Sequence, residues 1–173
     1  MVVVFDIDGV IADNAHRLRF MRKRDYDAFY SRNEIMKDTP IEDGITLLKA
    51  LRNEDIYFVT GRPENCKGAT VEWMRSVLQK HGVEFFENRL RMRKMGDYRK
   101  ATVVKKELIE TIFREKEELS FFDDEQNRKG LFIDDDPNNV VAISDEFPDM
   151  TGIVFGVGRL SELKKKEANF TIM

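Results

Sequence analysis

Residues 2–10 read VVVFDIDGV, and this stretch decides the fold of the chain. Three valines and a phenylalanine form a short apolar run, which is typical of a strand buried in a parallel sheet. Asp6 and Asp8 follow with one residue between them, so on an extended backbone both carboxylates point to the same side. Gly9 then allows a sharp turn or the close approach of a ligand. Two carboxylates at the end of a buried strand are costly unless they bind a cation or a reacting group.

A surface turn and a calcium loop are the other interpretations of this pattern. An EF-hand calcium loop needs a glutamate at its twelfth position, and counting from Asp6 that position is Arg17. A surface turn does not normally follow five apolar residues at the start of a chain. The pattern therefore favours a ligand site beyond the carboxyl end of the strand, where α/β sheets bind their ligands.

The composition is that of a soluble globular protein, since 42% of the 173 residues are hydrophobic and 35% are charged. This length favours a single domain over residues 1–173. The net charge of -3 excludes a general attraction to nucleic acid or membranes. A single cysteine, Cys66, excludes an internal disulfide and fits a reducing compartment. No signal peptide or bilayer-spanning stretch is found, so we expect a cytoplasmic protein.

Strand patterns alternate with helix patterns along the chain, which predicts an α/β fold with a mainly parallel sheet and helices on both faces. A polar, aromatic and basic segment over 14–40 interrupts the alternation after the first strand, and we expect a small helical insert there. The later strands are expected at 55–63, at 83–86 or 90–92, at 131–134 and at 152–157. A loop is expected over 121–130, and the lysines at 164–166 are expected to be solvated.

Three of these strands end in polar residues, and in a parallel sheet those ends lie on one edge. The three groups are Asp6 with Asp8, Thr60-Gly61-Arg62, and Asp134 with Asp135. Four carboxylates on one edge repel one another, and a divalent cation relieves this. Hard oxygen ligands with open positions favour Mg²⁺, and the cation together with Thr60 and a lysine would suit a phosphoryl group.

These three groups and Lys105, which lies between the second and third of them in the sequence, resemble the four motifs of the haloacid dehalogenase (HAD) superfamily of phosphohydrolases, whose core is Rossmann-like. The resemblance implies that Asp6 is the nucleophile and forms an aspartyl-phosphate. It implies that Asp8 is the general acid and then the base, and that Thr60 and Lys105 hold the phosphoryl oxygens. The implied Mg²⁺ ligands are Asp6, the backbone carbonyl of Asp8, and Asp134 or Asp135.

The 3′-phosphatase domain of phage-type polynucleotide kinase is a nearer match. It is similar at the first motif, at Arg17 and Gly61-Arg62, and most of all across Arg93, Gly96-Asp97, Arg99-Lys100 and Lys105. Two residues depart from that family. Ala101 stands where an active-site aspartate is typical, and Asp136 where an arginine often follows the acidic pair. The sequence has no G-x-x-x-x-G-K-[ST] kinase loop.

The predicted function is a Mg²⁺-dependent HAD-type phosphatase that acts on a polynucleotide or nucleotide phosphate end. The insert after the first strand is short, so any cap over the site is minimal. The alternatives are a small-metabolite phosphatase acting on a sugar or nucleotide phosphate, and a non-catalytic phosphate-binding module. The expected partner is a phosphorylated substrate and not a membrane. The residues expected to bind that substrate are Gly61, Arg62, Arg17, Arg93 and Arg99.

Overall fold

The computed structural model describes residues 1–119 and 128–156, and its centre is a five-stranded sheet. Every adjacent pair in that sheet is parallel. A separate two-stranded antiparallel ladder lies beside it. The strands are β1 (Val2–Phe5), β2 (Ala12–Asp13), β3 (Thr39–Pro40), β4 (Asp55–Pro63), β5 (Leu90–Arg93), β6 (Gly130–Asp134) and β7 (Met150–Val154). The order in the main sheet is β5-β4-β1-β6-β7, so the apolar strand that opens the chain is central.

Helices cover both faces of the sheet, which confirms the predicted α/β fold. Val3 and Phe5 of β1 pack on one face in a core that includes Trp73. Val2 and Val4 point to the other face, into a core that includes Phe113. The helices are α1 (Leu18–Arg22), α2 (Tyr26–Phe29), α3 (Arg32–Ile35), α4 (Glu42–Ala50), α5 (Lys67–Lys80), α6 (Ala101–Leu119) and α7 (Pro137–Glu146). Helices α4 and α5 belong to the first face, and α6 and α7 to the second.

The strand predictions hold for β4, and the structure decides the third strand in favour of its second alternative, Leu90–Arg93. Val83 and Phe85 pack against the core without joining the sheet. The last strand begins at Met150, two residues earlier than expected, and ends at Val154. The strand was expected to continue to 157, but residues 155 and 156 are not in a strand. Residue 157, most of the loop over 121–130 and the lysines at 164–166 lie outside the described residues.

The segment expected to be an insert contains a short 3-10 turn followed by α1, α2 and α3. Strands β2 and β3 pair at its two ends, Ala12 with Pro40 and Asp13 with Thr39. Helix α4 follows and lies directly against the turn after β1. The approach is so close that a Cβ at Gly44 would collide with the carbonyl of Val10. The ladder and the close helix together hold the two ends of the insert beside the turn after β1. The division of the chain into one domain with a minimal cap stays a prediction.

Within the described ranges, no helix has both the length and the apolar character that crossing a membrane requires.

Candidate active site

The carboxyl ends of β1, β4 and β6 meet at one edge of the sheet, and each carries residues of the expected site. Asp6 directly follows β1, and its backbone N–H donates to the carbonyl of Ile133 at 2.8 Å. Asp134 is the last residue of β6, and Thr60 lies within β4. Since Val4 and Phe132 face the α6 side of the sheet, Asp6 and Asp134, two residues further along, face the same side. The alternation of the strands therefore aims both carboxylates at helix α6.

Lys105 of α6 meets these two carboxylates. Its Nζ lies 2.9 Å from Oδ2 of Asp6 and 2.6 Å from Oδ2 of Asp134, and all three side chains are almost fully buried. Although burial opposes it, the two negative charges raise the pKa of Lys105 above its ordinary value. The lysine is therefore a permanent cation in the centre of the expected site.

Asp134 is held in one orientation from two directions. Its Oδ1 accepts from the backbone N–H of Asp136 at 2.9 Å, and the side-chain amide of Asn139 donates to Oδ1 at 3.2 Å and Oδ2 at 3.1 Å. The side chain of Asp136 caps α7 by accepting from the N–H of Asn138. Asp136, which stands where the related family often has an arginine, therefore stabilises α7, and Asn139 of this helix holds Asp134.

Asp6, Asp134 and Asp135 form a group that could hold a metal ion, because each offers an oxygen within 4.8 Å of the others. Oδ1 of Asp6 is buried and has no hydrogen-bond partner, and a buried unpaired carboxylate oxygen is costly. Burial raises the pKa of Asp6 to about 8, opposed by Lys105 and reinforced by Asp134 and Asp8. A divalent cation would satisfy the unpaired oxygen and favour the ionised form of Asp6, and an all-oxygen donor set is the one that Mg²⁺ prefers. The residues present therefore fit the expected cofactor.

Gly9 makes room for Asp135 in this group. It has a φ of 81°, which L side chains rarely adopt, and a Cβ at this position would collide with the carboxyl group of Asp135. The glycine after the two aspartates is thus required both by the backbone turn and by the neighbouring carboxylate.

The second aspartate of the opening motif is held by two arginines. Nη2 of Arg17 donates to Oδ1 of Asp8 at 2.9 Å, while Nε and Nη2 of Arg62 donate to Oδ2 and Oδ1 at 2.9 and 2.7 Å. Although burial opposes it, the charges of Arg62 and Arg17 hold the pKa of Asp8 below its ordinary value. Both arginine side chains are fully buried. Both side chains were expected to bind substrate; the structure shows them bound to Asp8, and binding of substrate by either stays a prediction.

Asp38 belongs to the same network, although no motif in the sequence marks it. Its fully buried carboxylate accepts from Nε and Nη2 of Arg17 and from Nη2 of Arg62, each at 2.8 Å. The indole N–H of Trp73 donates to its backbone carbonyl at 2.8 Å. Asp8 and Asp38 together balance the two arginine charges. We refer to Asp8, Arg17, Arg62 and Asp38 as the four-charge network.

A bulge places the second motif beside β5. The register of β4 on β5 shifts between Thr60 and Pro63, so Gly61 and Arg62 have no partners in the ladder. Bulges of this kind re-aim side chains near active sites. Thr60 is fully buried, and its Oγ1 accepts from the N–H of Arg62 at 3.2 Å. Donation by the Thr60 hydroxyl to a phosphoryl oxygen stays a prediction.

Arg93 and Arg99 both use their guanidinium groups within the protein. Arg93 donates from Nε to the carbonyl of Gly61 at 2.9 Å, and from Nη1 to the carbonyls of Asp97 at 3.0 Å and Arg99 at 2.6 Å. Arg99 pairs with both carboxylate oxygens of Asp97 and of Glu107. Arg93 thus anchors the loop after β5 to the second motif. Binding of substrate by either side chain stays a prediction.

Comparison with known proteins places the chain in a family. The model of the polynucleotide kinase PNKP phosphatase domain matches residues 1–129. No curated protein gives a match.

Three solved structures share the fold. A Pnkp1/Rnl/Hen1 complex has 20% identity and a TM-score of 0.56 over 88% of this chain and 44% of its own. A second, described as a Pnkp1/Rnl/Hen1 RNA repair complex, has 21% identity and a TM-score of 0.58 over 90% and 43%. A class C acid phosphatase from Bacillus anthracis has 15% identity and a TM-score of 0.50 over 91% and 66%.

The chain spans less than half the length of the two Pnkp1 chains, and likeness at these identities shows the fold alone. The family match covers 129 of the 173 residues, and it includes the opening motif, Thr60-Gly61-Arg62 and Lys105. The predicted resemblance is confirmed, and the chain therefore belongs to the family of polynucleotide kinase PNKP phosphatase domains, within the haloacid dehalogenase superfamily.

Proposed function

We propose that the chain is a Mg²⁺-dependent phosphomonoester hydrolase that works through an aspartyl-phosphate. The observation that carries the proposal is the pairing of two aspartates with different surroundings at the end of β1. Asp6 has a buried oxygen without a hydrogen-bond partner and lies beside Lys105. Asp8 is bound instead by Arg17 and Arg62. One carboxylate is thus placed to attack, and the other to exchange a proton.

In the first step, a carboxylate oxygen of Asp6 attacks phosphorus and the bond from phosphorus to the leaving oxygen breaks. The leaving oxygen takes a proton from Asp8, and Asp8 must first gain that proton, because Arg62 and Arg17 favour its ionised form in the free protein. Lys105 and the hydroxyl of Thr60 donate to the phosphoryl oxygens, and Lys105 stays charged because Asp6 and Asp134 raise its pKa. Such fixed charges provide most of the catalysis in phosphoryl transfer.

In the second step, water attacks the phosphorus of the aspartyl-phosphate and passes a proton to Asp8. The bond from phosphorus to Asp6 breaks, which releases inorganic phosphate and restores the carboxylate. The arginines favour the ionised form of Asp8, and that form is the one needed to accept this proton. A module that only binds phosphate has no need of both aspartates.

The proposed ligands of Mg²⁺ are Asp6, Asp134, Asp135 and the backbone carbonyl of Asp8. When bound, the ion supplies positive charge that neutralises the transferring phosphoryl group. Lys105 adds a second positive charge on the side of α6, and Asn139 keeps Asp134 oriented.

The favoured substrate is a polynucleotide or nucleotide phosphate end, and the site of action is the cytoplasm. The family match supports this choice of substrate, and the Pnkp1 structures come from an assembly described as an RNA repair complex. A small-metabolite phosphatase is the second candidate, because Ala101 and Asp136 differ from the residues typical of polynucleotide phosphatases at these positions. The side chain of Asp136 is also occupied in capping α7.

The test is phosphate release from a panel of 3′- and 5′-phosphorylated oligonucleotides, mononucleotides and sugar phosphates. The chain should release phosphate in Mg²⁺ and lose this activity after metal removal with EDTA. Asp6→Asn is nearly isosteric, and it should lower turnover by several orders of magnitude while the circular dichroism spectrum stays unchanged. Asp145→Asn makes the same chemical change on the exposed side of α7 and serves as the matched control. Substantial turnover by Asp6→Asn, or full activity in EDTA, would overturn the proposal.

A further inference from the structure

The bulge that carries the second motif receives a hydrogen bond from the side chain of Arg93. In the ladder between β4 and β5, Thr60 pairs with Met92 and Pro63 pairs with Arg93, and the two residues between Thr60 and Pro63 have no partners. Nε of Arg93 donates to the carbonyl of Gly61, inside the bulge, at 2.9 Å. Backbone carbonyls away from water need a donor, and here a guanidinium takes the place of the interrupted ladder.

The same guanidinium holds the loop after β5. Nη1 of Arg93 donates to the carbonyl of Asp97 at 3.0 Å and to that of Arg99 at 2.6 Å. The guanidinium of Arg99 binds both carboxylate oxygens of Asp97 and both of Glu107 on α6. We refer to Arg93, Asp97, Arg99 and Glu107 as the loop network. It connects the bulge of β4 with the first turns of α6.

The loop network thus joins the two elements whose side chains are proposed to hold the phosphoryl oxygens. At one end, Gly61 directly follows Thr60, whose Oγ1 accepts from the N–H of Arg62 at 3.2 Å. At the other end, Glu107 lies two residues after Lys105 on α6. A displacement of the carbonyl of Gly61 would therefore move Thr60 relative to Lys105.

We propose that Arg93 is a positioning residue for phosphoryl transfer and fixes the separation between Thr60 and Lys105. It acts through the backbone of Gly61 at one end of the loop network and through the backbone of Arg99 at the other. The proposal rests on the proposed function, in which Thr60 and Lys105 hold the phosphoryl oxygens. A guanidinium suits this role because its N–H groups form a rigid planar fork, whereas an ammonium is a point charge on a flexible stem.

The experiment measures kcat and KM in Mg²⁺ for p-nitrophenyl phosphate and for the best substrate of the panel described above. Arg93→Ala should lower kcat about 100-fold on both substrates, because a displacement of about 1 Å can cost that much in rate. KM should stay nearly unchanged, since the lost positioning matters in the transition state. Arg93→Lys keeps the positive charge but not the fork, and should lower kcat by a similar factor.

Arg91→Ala is the matched control. Arg91 lies on the same strand, donates from Nη1 to the backbone carbonyls of Asn88 and Leu90, and pairs with Glu115 of α6. These bonds lie outside the bulge, so kcat should be kept on both substrates. Arg99→Ala removes the contact with Glu107 but leaves the carbonyl that Arg93 binds. It should therefore lower kcat less than Arg93→Ala does.

The alternative is that Arg93 touches the substrate itself. A loss confined to the larger substrate, or a loss that appears in KM, would show such a contact and overturn the proposal. Wild-type kcat in Arg93→Lys would also overturn it, because charge alone would then suffice. Circular dichroism checks the fold of each variant, and should Arg93→Ala not fold, Arg93→Lys and Arg99→Ala are judged by the same criteria.

Amide hydrogen exchange separates this inference from the proposed function, because it needs no turnover. The N–H of Arg62, which donates to Thr60, should exchange faster in Arg93→Ala and keep its wild-type rate in Arg91→Ala. An unchanged rate in Arg93→Ala would overturn the inference, whatever the activity. Faster exchange in that variant, with no turnover of any substrate by the unmutated chain, would overturn the phosphatase proposal and leave the hold of Arg93 on the bulge in place.

Discussion

Asp38→Asn should strongly destabilise the protein. The four-charge network contains two positive and two negative charges, and all of its side chains are buried except that of Asp8, so a lost charge is not replaced by water. The substitution removes one negative charge and leaves two buried guanidinium groups facing Asp8 alone. Breaking a buried ion pair by removing one partner costs about 3–5 kcal/mol. For a chain of this size each kcal/mol lowers Tm by about 2–4 °C, so a fall of about 6–20 °C is expected.

The assay is thermal unfolding followed by circular dichroism, together with urea unfolding to check that the m-value is unchanged. Glu72→Gln is the matched control, since it removes a carboxylate that Arg32 binds in the same two-pronged manner on the exposed surface. That variant should unfold close to the wild type, because water solvates the freed arginine. Phosphate release by Asp38→Asn should also fall, because both arginines would then reposition on Asp8. A Tm and an activity equal to those of the wild type would refute this account of the network.

Two further predictions follow from the site and its rim. Gly9→Ala should displace the carboxyl group of Asp135 and raise the Mg²⁺ concentration needed for half-maximal activity. Gly68 is a helical glycine with open space around it, so Gly68→Ala should leave that Mg²⁺ concentration unchanged. The pKa of Asp97 is lowered to about 2, first of all by its hydrogen bonds with Arg99. The contact should therefore be complete above the ordinary pKa of about 3.8 and be lost as the pH falls through about 2, and an NMR titration should show the midpoint rising in Arg99→Ala.

Much of the fold could be predicted because its signals are local. A strand covered on both faces is apolar throughout, and the runs before Asp6, Thr60 and Asp134 have this property. Their parallel arrangement follows from the alternation with helices, so the meeting of their polar ends at one edge also follows. The third strand was ambiguous because Leu90–Arg93 alternates between buried and partly exposed residues, and this pattern is weaker than a continuous apolar run.

The four-charge network could not be predicted, because its members are far apart in the sequence. Arg62 reaches Asp8 across 54 residues and Asp38 across 24, and no spacing rule relates such positions. An exposed arginine and a buried one look alike in a sequence. The one available signal was charge balance. Two buried arginines beside one carboxylate require a second carboxylate nearby, and Asp38 lies at the end of the insert, close to β3.

Helix α6 shows the same limit. The family resemblance implied a role for Lys105, but the sequence did not indicate that Arg93 and Arg99 would be used within the protein. Arg99 meets Glu107 only because the loop after β5 turns back onto the first turns of α6. Such a pairing depends on the course of the loop, which Gly96 helps to set with a φ of 78°.

The contact between Trp73 and Asp38 gives the protein an intrinsic optical reporter. Trp73 is the only tryptophan in the sequence, it is almost fully buried, and its indole N–H donates to the backbone carbonyl of Asp38. The emission wavelength of an indole depends on the polarity and charges around it. Fluorescence excited in the indole band therefore reports on the segment that carries Asp38, without any attached dye. Rapid mixing with substrate would show whether this segment moves during turnover or stays rigid while Asp8, to which Arg17 and Arg62 connect it, takes part in the chemistry.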